Sequence, residues 1–136
     1  MPPETLLKRA FRVIFGLSMV AVGILHFARP EGFVKIVPAF LPAPLLLVYI
    51  SGFFEIAGGV GLLVSRVHRA AAWGLVALYV AVFPANINMA VNDIQPGDGG
   101  WPGHIPAALM WLRLPLQALF IGIMVWLSRS KARAAG

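Results

Sequence analysis

The 136-residue sequence contains no cysteine and few charged residues. Without a thiol, this chain by itself forms no disulfide, ligates no iron–sulfur cluster and supports no thiolate catalysis or thiol redox relay. Redox work through a quinone or a partner subunit is still compatible with that absence. Charged residues make up 12% of the chain, against about 25% in soluble domains. So few charges cannot cover a water-soluble globule, and the sequence therefore predicts that a lipid bilayer surrounds the chain.

Four apolar stretches fill most of the sequence, separated by proline, glycine and charged residues. Each has about the 20 residues that a helix needs to cross the hydrocarbon core. Alternation with a period of two is missing, so helices are predicted rather than barrel strands. We expect a single domain over residues 1–136, an all-α integral membrane four-helix bundle. Its helices are predicted at about 11–27, 45–64, 70–91 and 105–127.

Basic residues lie mainly on one side of these predicted helices. They flank the two termini and the turn between the second and third helices: Lys8, Arg9, Arg12, Arg66, Arg69, Arg129, Lys131 and Arg133. Because cytoplasmic loops are enriched in lysine and arginine, both termini are expected in the cytoplasm. The net charge of +6 then serves orientation and contact with anionic lipid, and no nucleic-acid partner is expected. The first stretch is expected to be a retained helix, because cleavage after Ala28 would place His26 where a signal peptide has a small residue.

Stripes of small residues predict the side that each helix turns toward the bundle interior. The first helix presents Gly16 and Gly23, and the second presents Gly52 and Gly59. The third helix has the longest stripe: Ala70, Gly74, Ala77, Ala81, Ala85, Asn88 and Asn92. In the first outer loop, apolar residues at helical spacing from Phe33 to Phe40 predict a short segment lying in the membrane interface.

Polar residues within the predicted spans gather in the outer half of the bundle. The candidate ligand-binding residues are His26, Glu55, Asn86, Asn88, Arg113 and Gln117. A lone charge near the midplane costs several kcal/mol, so we expect Glu55 and Arg113 to form an ion pair, directly or through Gln117 or water. The cluster is either a clasp that fixes helix register or a small-molecule site, and its size favours the site. The inner half is expected to hold almost nothing comparable.

Individual residues leave alternatives open. His26 is either a proton carrier, since histidine has an ordinary pKa of about 6.5, or a neutral donor to a carbonyl at the helix end. Asn86 and Asn88 are about 200° apart on a helix, so they cannot share a face. The sequence does not decide which of the two faces the bundle interior. His68 is expected to be solvated. His104 near Asp98 lacks the ligand spacing of a metal site, so no metal is expected.

The polar and proline positions carry a resemblance over roughly residues 10 to 127. The run His26-Phe27, Pro30, Phe33, Ile36-Val37-Pro38, Leu41-Pro42 resembles the first signature of the DoxX-like membrane family. The likeness continues through Tyr49, Ser51-Gly52, Glu55, Gly58-Gly59, Gly61-Leu62-Leu63, Arg69, Ala71-Ala72, Gly74, Val82-Phe83-Pro84-Ala85-Asn86-Ile87 and Met89-Ala90. It implies a bacterial multi-pass protein of the cytoplasmic (inner) membrane. It carries over three positions, His26, Glu55 and Asn86.

The resemblance and the polar cluster together leave three functions open. Founding DoxX-like relatives are linked to thiosulfate:quinone oxidoreductase and others to membrane redox or oxidative-stress complexes. The first function is therefore an accessory subunit of a quinone-linked redox system, in which Glu55, His26 and Arg113 bind or protonate a quinone. The second is non-enzymatic binding or transport of a small apolar or weakly acidic molecule, for which a homo-oligomer is expected. The third is a scaffold for a membrane complex. The sequence identifies no catalytic residue.

Overall fold

Five α-helices make up the structure, a computed structural model that describes residues 2–94 and 106–131. They are α1 (Leu6–Ala28), α2 (Glu31–Ile36), α3 (Pro44–Leu63), α4 (His68–Val91) and α5 (Ala107–Ser128). Four of them are long and apolar enough to cross a membrane, which confirms the predicted all-α fold with four helices of spanning length. The short helix α2 falls in the predicted segment of the first outer loop. The predicted start of the fourth span, at Ile105, lies outside the described residues.

The first span begins earlier than the sequence pattern predicts, at Leu6 rather than near Phe11. Thr5 caps this helix, because its side-chain oxygen accepts a hydrogen bond from the Lys8 backbone N–H at 3.2 Å. Basic residues therefore lie inside the first turns of α1 and not before them. The apolar stretch alone underestimates the helix, since hydropathy reports the lipid-facing part and the cap decides where the helix begins.

Glycines bring α1 and α3 into close antiparallel contact. A Cβ atom placed on Gly59 would lie 2.7 Å from the Gly16 carbonyl oxygen. One placed on Gly23 would lie 2.9 Å from the Gly52 carbonyl oxygen. Both distances are shorter than a Cβ atom tolerates, so only glycine permits this backbone separation. The small-residue stripes predicted for the first two spans therefore face the bundle interior.

The first part of the small-residue stripe of α4, from Ala70 to Ala81, does not face the interior, and the prediction is wrong for these residues. Ala70, Gly74, Ala77 and Ala81 are exposed on the outside of the bundle. A Cβ atom on Gly74 would meet nothing within 4 Å. The helix instead packs through Leu75 and Tyr79, which are 1% and 8% exposed. Large side chains fill the space between helices and make more dispersion contacts than alanine can, so they decide which side of α4 turns inward.

Aromatic side chains close the four long helices into a bundle. Each of α1, α3, α4 and α5 runs antiparallel to its neighbour, with α3 between α1 and α4. The rings of Phe11 and Trp126 meet edge to face at 5.7 Å, and those of Phe15 and Phe120 at 5.4 Å, which joins α5 back to α1. Two apolar clusters form the core. The first consists of Met19, Leu62, Ala72, Leu75, Tyr79, Met124 and Leu127, and the second of Ile36, Met89, Ala90 and Met110.

A buried ion pair occupies the basic end of the bundle, where α1 begins and α5 ends. Arg12 and Glu4 are 3% and 1% exposed. Arg12 donates from Nε and Nη2 to the two carboxylate oxygens of Glu4, at 3.0 and 3.1 Å. Its Nη1 donates to the Leu62 carbonyl oxygen of α3 at 2.6 Å. The guanidinium therefore joins the N-terminal segment to the end of α3.

The two ends of the described chain are also tied together here. The Glu4 N–H donates to the Lys131 carbonyl oxygen, and the Lys131 N–H donates to that of Pro2, both at 3.0 Å. His68 lies beneath them, 2% exposed, with Nε2 2.9 Å from the Ser130 carbonyl oxygen. We name Glu4, Arg12, His68 and Ser130 the terminal clasp. Its presence shows two predictions to be wrong, since His68 is not solvated and this half of the bundle is not poor in polar contacts.

Candidate functional site

The six candidate residues do not form one cluster. The structure distributes them over four separate contacts, which lie between the middle of the bundle and its α2 end. His26 lies beside Glu55, and Asn86 beside Gln117. Asn88 contacts α2, and Arg113 contacts Met89. Two of these contacts join α4 to α5, and the other two join α1 to α3 and α4 to α2, so each contact has its own neighbours and its own chemistry.

Close packing of α1 on α3 positions the His26–Glu55 pair. Gly52 lies directly under His26, since a Cβ atom on Gly52 would fall 2.6 Å from that of His26. Glu55 follows almost one helical turn later on the same face of α3. The result places His26 Nδ1 3.6 Å from Glu55 Oε2, with both residues 8% exposed. This distance is within ion-pair range for a protonated ring, but it is too long for a hydrogen bond.

The tautomer of His26 follows from its other contact. Nδ1 lies 2.8 Å from the Val22 carbonyl oxygen, one turn earlier in α1. A carbonyl oxygen only accepts, so Nδ1 carries the hydrogen and Nε2 of the neutral ring carries a lone pair. His26 therefore donates to a carbonyl oxygen, which was one of the two alternatives expected from the sequence. The carbonyl belongs to Val22 of α1 itself. The lone pair at His26 Nε2 leaves a role in proton transfer open.

The pair has unused hydrogen-bonding capacity. Among the residues that the structure describes, neither His26 Nε2 nor Glu55 Oε1 has a hydrogen-bond partner. No fully enclosed side-chain nitrogen or oxygen in that part of the chain lacks a partner, so each of these two atoms keeps some accessible surface. The Phe33 ring of α2 stacks on the His26 ring at 3.8 Å and forms one side of the surroundings.

The depth of Glu55 makes its lack of donors significant. The residue lies about 17 Å along α3 from Pro44, in a helix about 30 Å long, and therefore near the middle of the span. An ionised carboxylate at this depth needs a cation or hydrogen-bond donors. His26 is the single basic side chain within ion-pair distance of Glu55 among residues 2–94 and 106–131. The arrangement is suited to hold a polar group that enters from outside the chain.

Asn86 and Gln117 join α4 to α5. The Asn86 amide donates to Gln117 Oε1, and the Gln117 amide donates to the Tyr79 carbonyl oxygen. Gln117 is 4% exposed. Asn88 has a different role, since its amide donates to the Ile36 carbonyl oxygen at 3.0 Å and holds the end of α2. The choice left open by the sequence is thus resolved: the two asparagines face different partners, and neither bonds to His26 or Glu55.

Replacing Gln117 with leucine is expected to lower the free energy of unfolding by about 1–3 kcal/mol, because the Asn86 amide loses its acceptor. The double variant Asn86→Leu with Gln117→Leu is expected to recover most of this loss, since no polar side chain is then stranded. Reversible unfolding in mixed micelles measures both values. A double variant as unstable as the sum of the two single variants would contradict the assignment.

Glu55 and Arg113 do not form the predicted direct ion pair, and Gln117 does not bridge them. Arg113 donates from Nη1 to the Met89 sulfur at 2.9 Å, and Gln117 is engaged by Asn86 and Tyr79. The reason is the lateral order of the helices. Because α4 packs between α3 and α5, side chains of similar depth on those two helices are held apart.

Sequence reasoning missed two contacts near the site. The Tyr79 hydroxyl donates to the Met19 sulfur at 2.8 Å, which joins α4 to α1. A tyrosine within an apolar span signals such a partner, because a buried hydroxyl is normally hydrogen-bonded. The stacking of Phe33 on His26 had no comparable signal. An open groove of about 330 Å³ lies at the α2 end of α4, away from His26 and Glu55. The residues that line it are Pro38, Phe40, Pro84, Ile87, Asn88, Val91 and Asn92.

Metal ligation finds no support in the described ranges, where no three His, Cys, Asp or Glu side chains come together. His104 and Asp98 lie outside those ranges. Comparison with curated proteins and with solved structures gives no match. Residues 15–128 match the domain of unknown function DUF8561, from within α1 to the end of α5. The chain therefore belongs to the DUF8561 family.

Proposed function

We propose that this protein binds a small molecule between α1, α2 and α3, and that it serves as an accessory subunit of a quinone-linked redox system in the membrane. The observation that carries the proposal is the His26–Glu55 pair, with acceptor atoms that keep some accessible surface and that no described residue uses. The resemblance to DoxX-like proteins in the runs around these two residues supports the quinone as ligand.

The orientation belongs to the same proposal. Lysine and arginine concentrate at the basic end, and bacterial inner-membrane proteins keep such ends in the cytoplasm. With both termini in the cytoplasm, α2 lies at the periplasmic side, in the membrane interface. The His26–Glu55 pair then lies in the half of the bilayer that faces the periplasm, where a lipid-soluble ligand reaches it laterally.

The chemistry of the pair favours the reduced ligand. His26 Nε2 accepts a hydrogen bond when the ring is neutral, and an ionised Glu55 also only accepts. A hydroquinone supplies two hydroxyl donors, whereas a quinone supplies none. His26 and Glu55 then hold the hydroxyl hydrogens and accept the protons when the ligand is oxidised. The two electrons pass to a redox partner subunit, because this chain has no cysteine that could accept them.

A binding experiment with the full-length protein tests the proposal. Short-chain hydroquinone is titrated into purified protein in detergent, and co-purified quinones are extracted and identified by mass spectrometry. Glu55→Gln and His26→Phe are expected to weaken binding about tenfold or more, because each removes an acceptor for a buried hydroxyl. The matched control is Glu31→Gln, which neutralises an exposed carboxylate of α2.

Three outcomes would overturn the proposal in different ways. A different co-purified molecule that depends on Glu55 would identify a binding or transport protein instead. A Glu55→Gln variant with reduced stability, and no ligand bound by any form of the protein, would identify a scaffold. Equal hydroquinone affinity in Glu55→Gln, His26→Phe and wild type would place the ligand elsewhere.

A further inference from the structure

We infer that Arg113 holds the phosphate group of a phospholipid against the α2 end of the bundle. The side chain is half-buried within a membrane span. A guanidinium carries five N–H donors, and a thioether is a weak acceptor. The contact from Nη1 to the Met89 sulfur is the one polar contact of Arg113 with the described residues, and no carboxylate among them lies within ion-pair distance. Among residues 2–94 and 106–131, the charge therefore has no anionic partner.

The surroundings of Arg113 show that this anion does not come from the bundle core. Met89 is 1% exposed and belongs to an apolar cluster with Ile36, Ala90 and Met110. Desolvating a guanidinium beside such groups costs several kcal/mol unless it is paired. Glu55 has His26 as its partner, and α4 lies between it and Arg113. No described residue therefore supplies the anion that would balance the charge, and a lipid phosphate is suited to do so.

The position of Arg113 on α5 indicates where that anion comes from. Residues three and four positions away on a helix are its neighbours on the surface. On one side these are Met110 and Gln117, which are 1% and 4% exposed. On the other side they are Leu109 and Leu116, which are 51% and 38% exposed. Arg113 thus lies on the boundary between the bundle and the surrounding lipid, and a lipid molecule beside α5 reaches it directly.

The depth of Arg113 fits a phosphate better than a buried cofactor. Its Cα lies about 9 Å from the start of α5, and a long arginine side chain extends toward the headgroup layer. Its contact Met89 is in the last turn of α4, which ends at Val91. The guanidinium is therefore near the level at which α4 ends. A planar guanidinium binds phosphate oxygens in a bidentate manner, which a lysine does not reproduce. This site is independent of the His26–Glu55 pair.

Native mass spectrometry of the whole protein, released from nanodiscs of phosphatidylglycerol, tests this inference. Wild type is expected to retain one bound lipid, and Arg113→Gln is expected to lose it. The affinity of this variant for the lipid is expected to be at least about tenfold lower. Arg113→Lys is expected to retain an intermediate amount, since it keeps the charge without the bidentate geometry. Arg29→Gln is the matched control, because it removes an exposed arginine from the same end of the bundle.

A second measurement separates lipid from free anion and does not depend on release from nanodiscs. Phosphatidylglycerol added to delipidated protein in neutral detergent is expected to raise the thermal midpoint of wild type, and inorganic phosphate at the same concentration is not. An equal rise with inorganic phosphate would show a site for a free anion and overturn the lipid assignment. Equal lipid retention by wild type and Arg113→Gln, or equal losses in Arg113→Gln and Arg29→Gln, would overturn the site itself.

Discussion

Replacing Arg12 with glutamine is expected to lower the free energy of unfolding by about 3–5 kcal/mol, because the change removes the cation that is paired with a buried carboxylate. Glu4 is 1% exposed and receives two hydrogen bonds from Arg12. The same substitution removes the donor to the Leu62 carbonyl oxygen at the end of α3. Since a glutamine is shorter and neutral, it replaces neither contact. The loss therefore combines two hydrogen bonds to a buried charge with a broken link between α1 and α3.

A double-mutant cycle in mixed micelles measures this pair. Glu4→Gln in the Arg12→Gln background is expected to restore part of the stability, since no buried charge then remains without its partner. Arg66→Gln is the matched control, because Arg66 is exposed at the same basic end. Its effect is expected to stay within about 0.5 kcal/mol, as for surface changes in general. An Arg12→Gln variant no less stable than the Arg66→Gln control would refute the buried pair.

Replacing Gly59 with alanine is expected to destabilise the protein by about 1–3 kcal/mol through overpacking. The new Cβ atom would lie 2.7 Å from the Gly16 carbonyl oxygen and 2.9 Å from the Val20 nitrogen. Both are backbone atoms of a packed helix, so the strain cannot be relieved by a side-chain rotation. We expect α1 and α3 to separate by a few tenths of an ångström, and this loosens the contact on which the His26–Glu55 geometry depends.

Gly74 is the control for this prediction, because it too lies within a membrane-spanning helix. A Cβ atom there meets nothing within 4 Å, so Gly74→Ala gains helix propensity without a clash. Its expected effect is neutral or stabilising by up to about 1 kcal/mol. The difference between the two variants, measured by denaturant titration, isolates the close approach of α1 and α3 from the general effect of losing a glycine. Equal effects at both positions would contradict it.

The four spans could be predicted from the sequence because the membrane imposes length and composition on each helix separately. The orientation of α1 and α3 was also predictable, since Gly16, Gly23, Gly52 and Gly59 leave only one side on which the backbones can approach. For α4 the same rule failed. Its small residues and its large apolar residues lie on different sides, and both are acceptable to lipid. Packing against α3 and α5 made the choice in favour of Leu75 and Tyr79.

The candidate site was predicted in depth but not in pairing. Counting residues from the helix ends places His26, Glu55 and Arg113 in one half of the bundle, and the structure agrees. Which of these side chains meet depends on which helices are neighbours in the bundle. A single sequence does not specify that arrangement. The terminal clasp escaped prediction for a similar reason. Charged residues beside a span predict the orientation of the protein and do not predict which groups they contact. The contacts of Arg12 with Glu4 and with the Leu62 carbonyl oxygen were therefore not anticipated.

The terminal clasp has a consequence for biosynthesis. Residues of α1 and α3 leave the ribosome first, and their glycine contact and the Arg12 links to Glu4 and Leu62 can form while α5 is still being made. Ser130 and Lys131 follow α5 in the chain, so the contacts of His68 and of the Pro2 carbonyl with them form only after α5 has been made. Translation halted before these residues would leave α1 and α3 packed together without the closing connection. The connection between the two sides of the terminal clasp is therefore made after the four long helices have been synthesised.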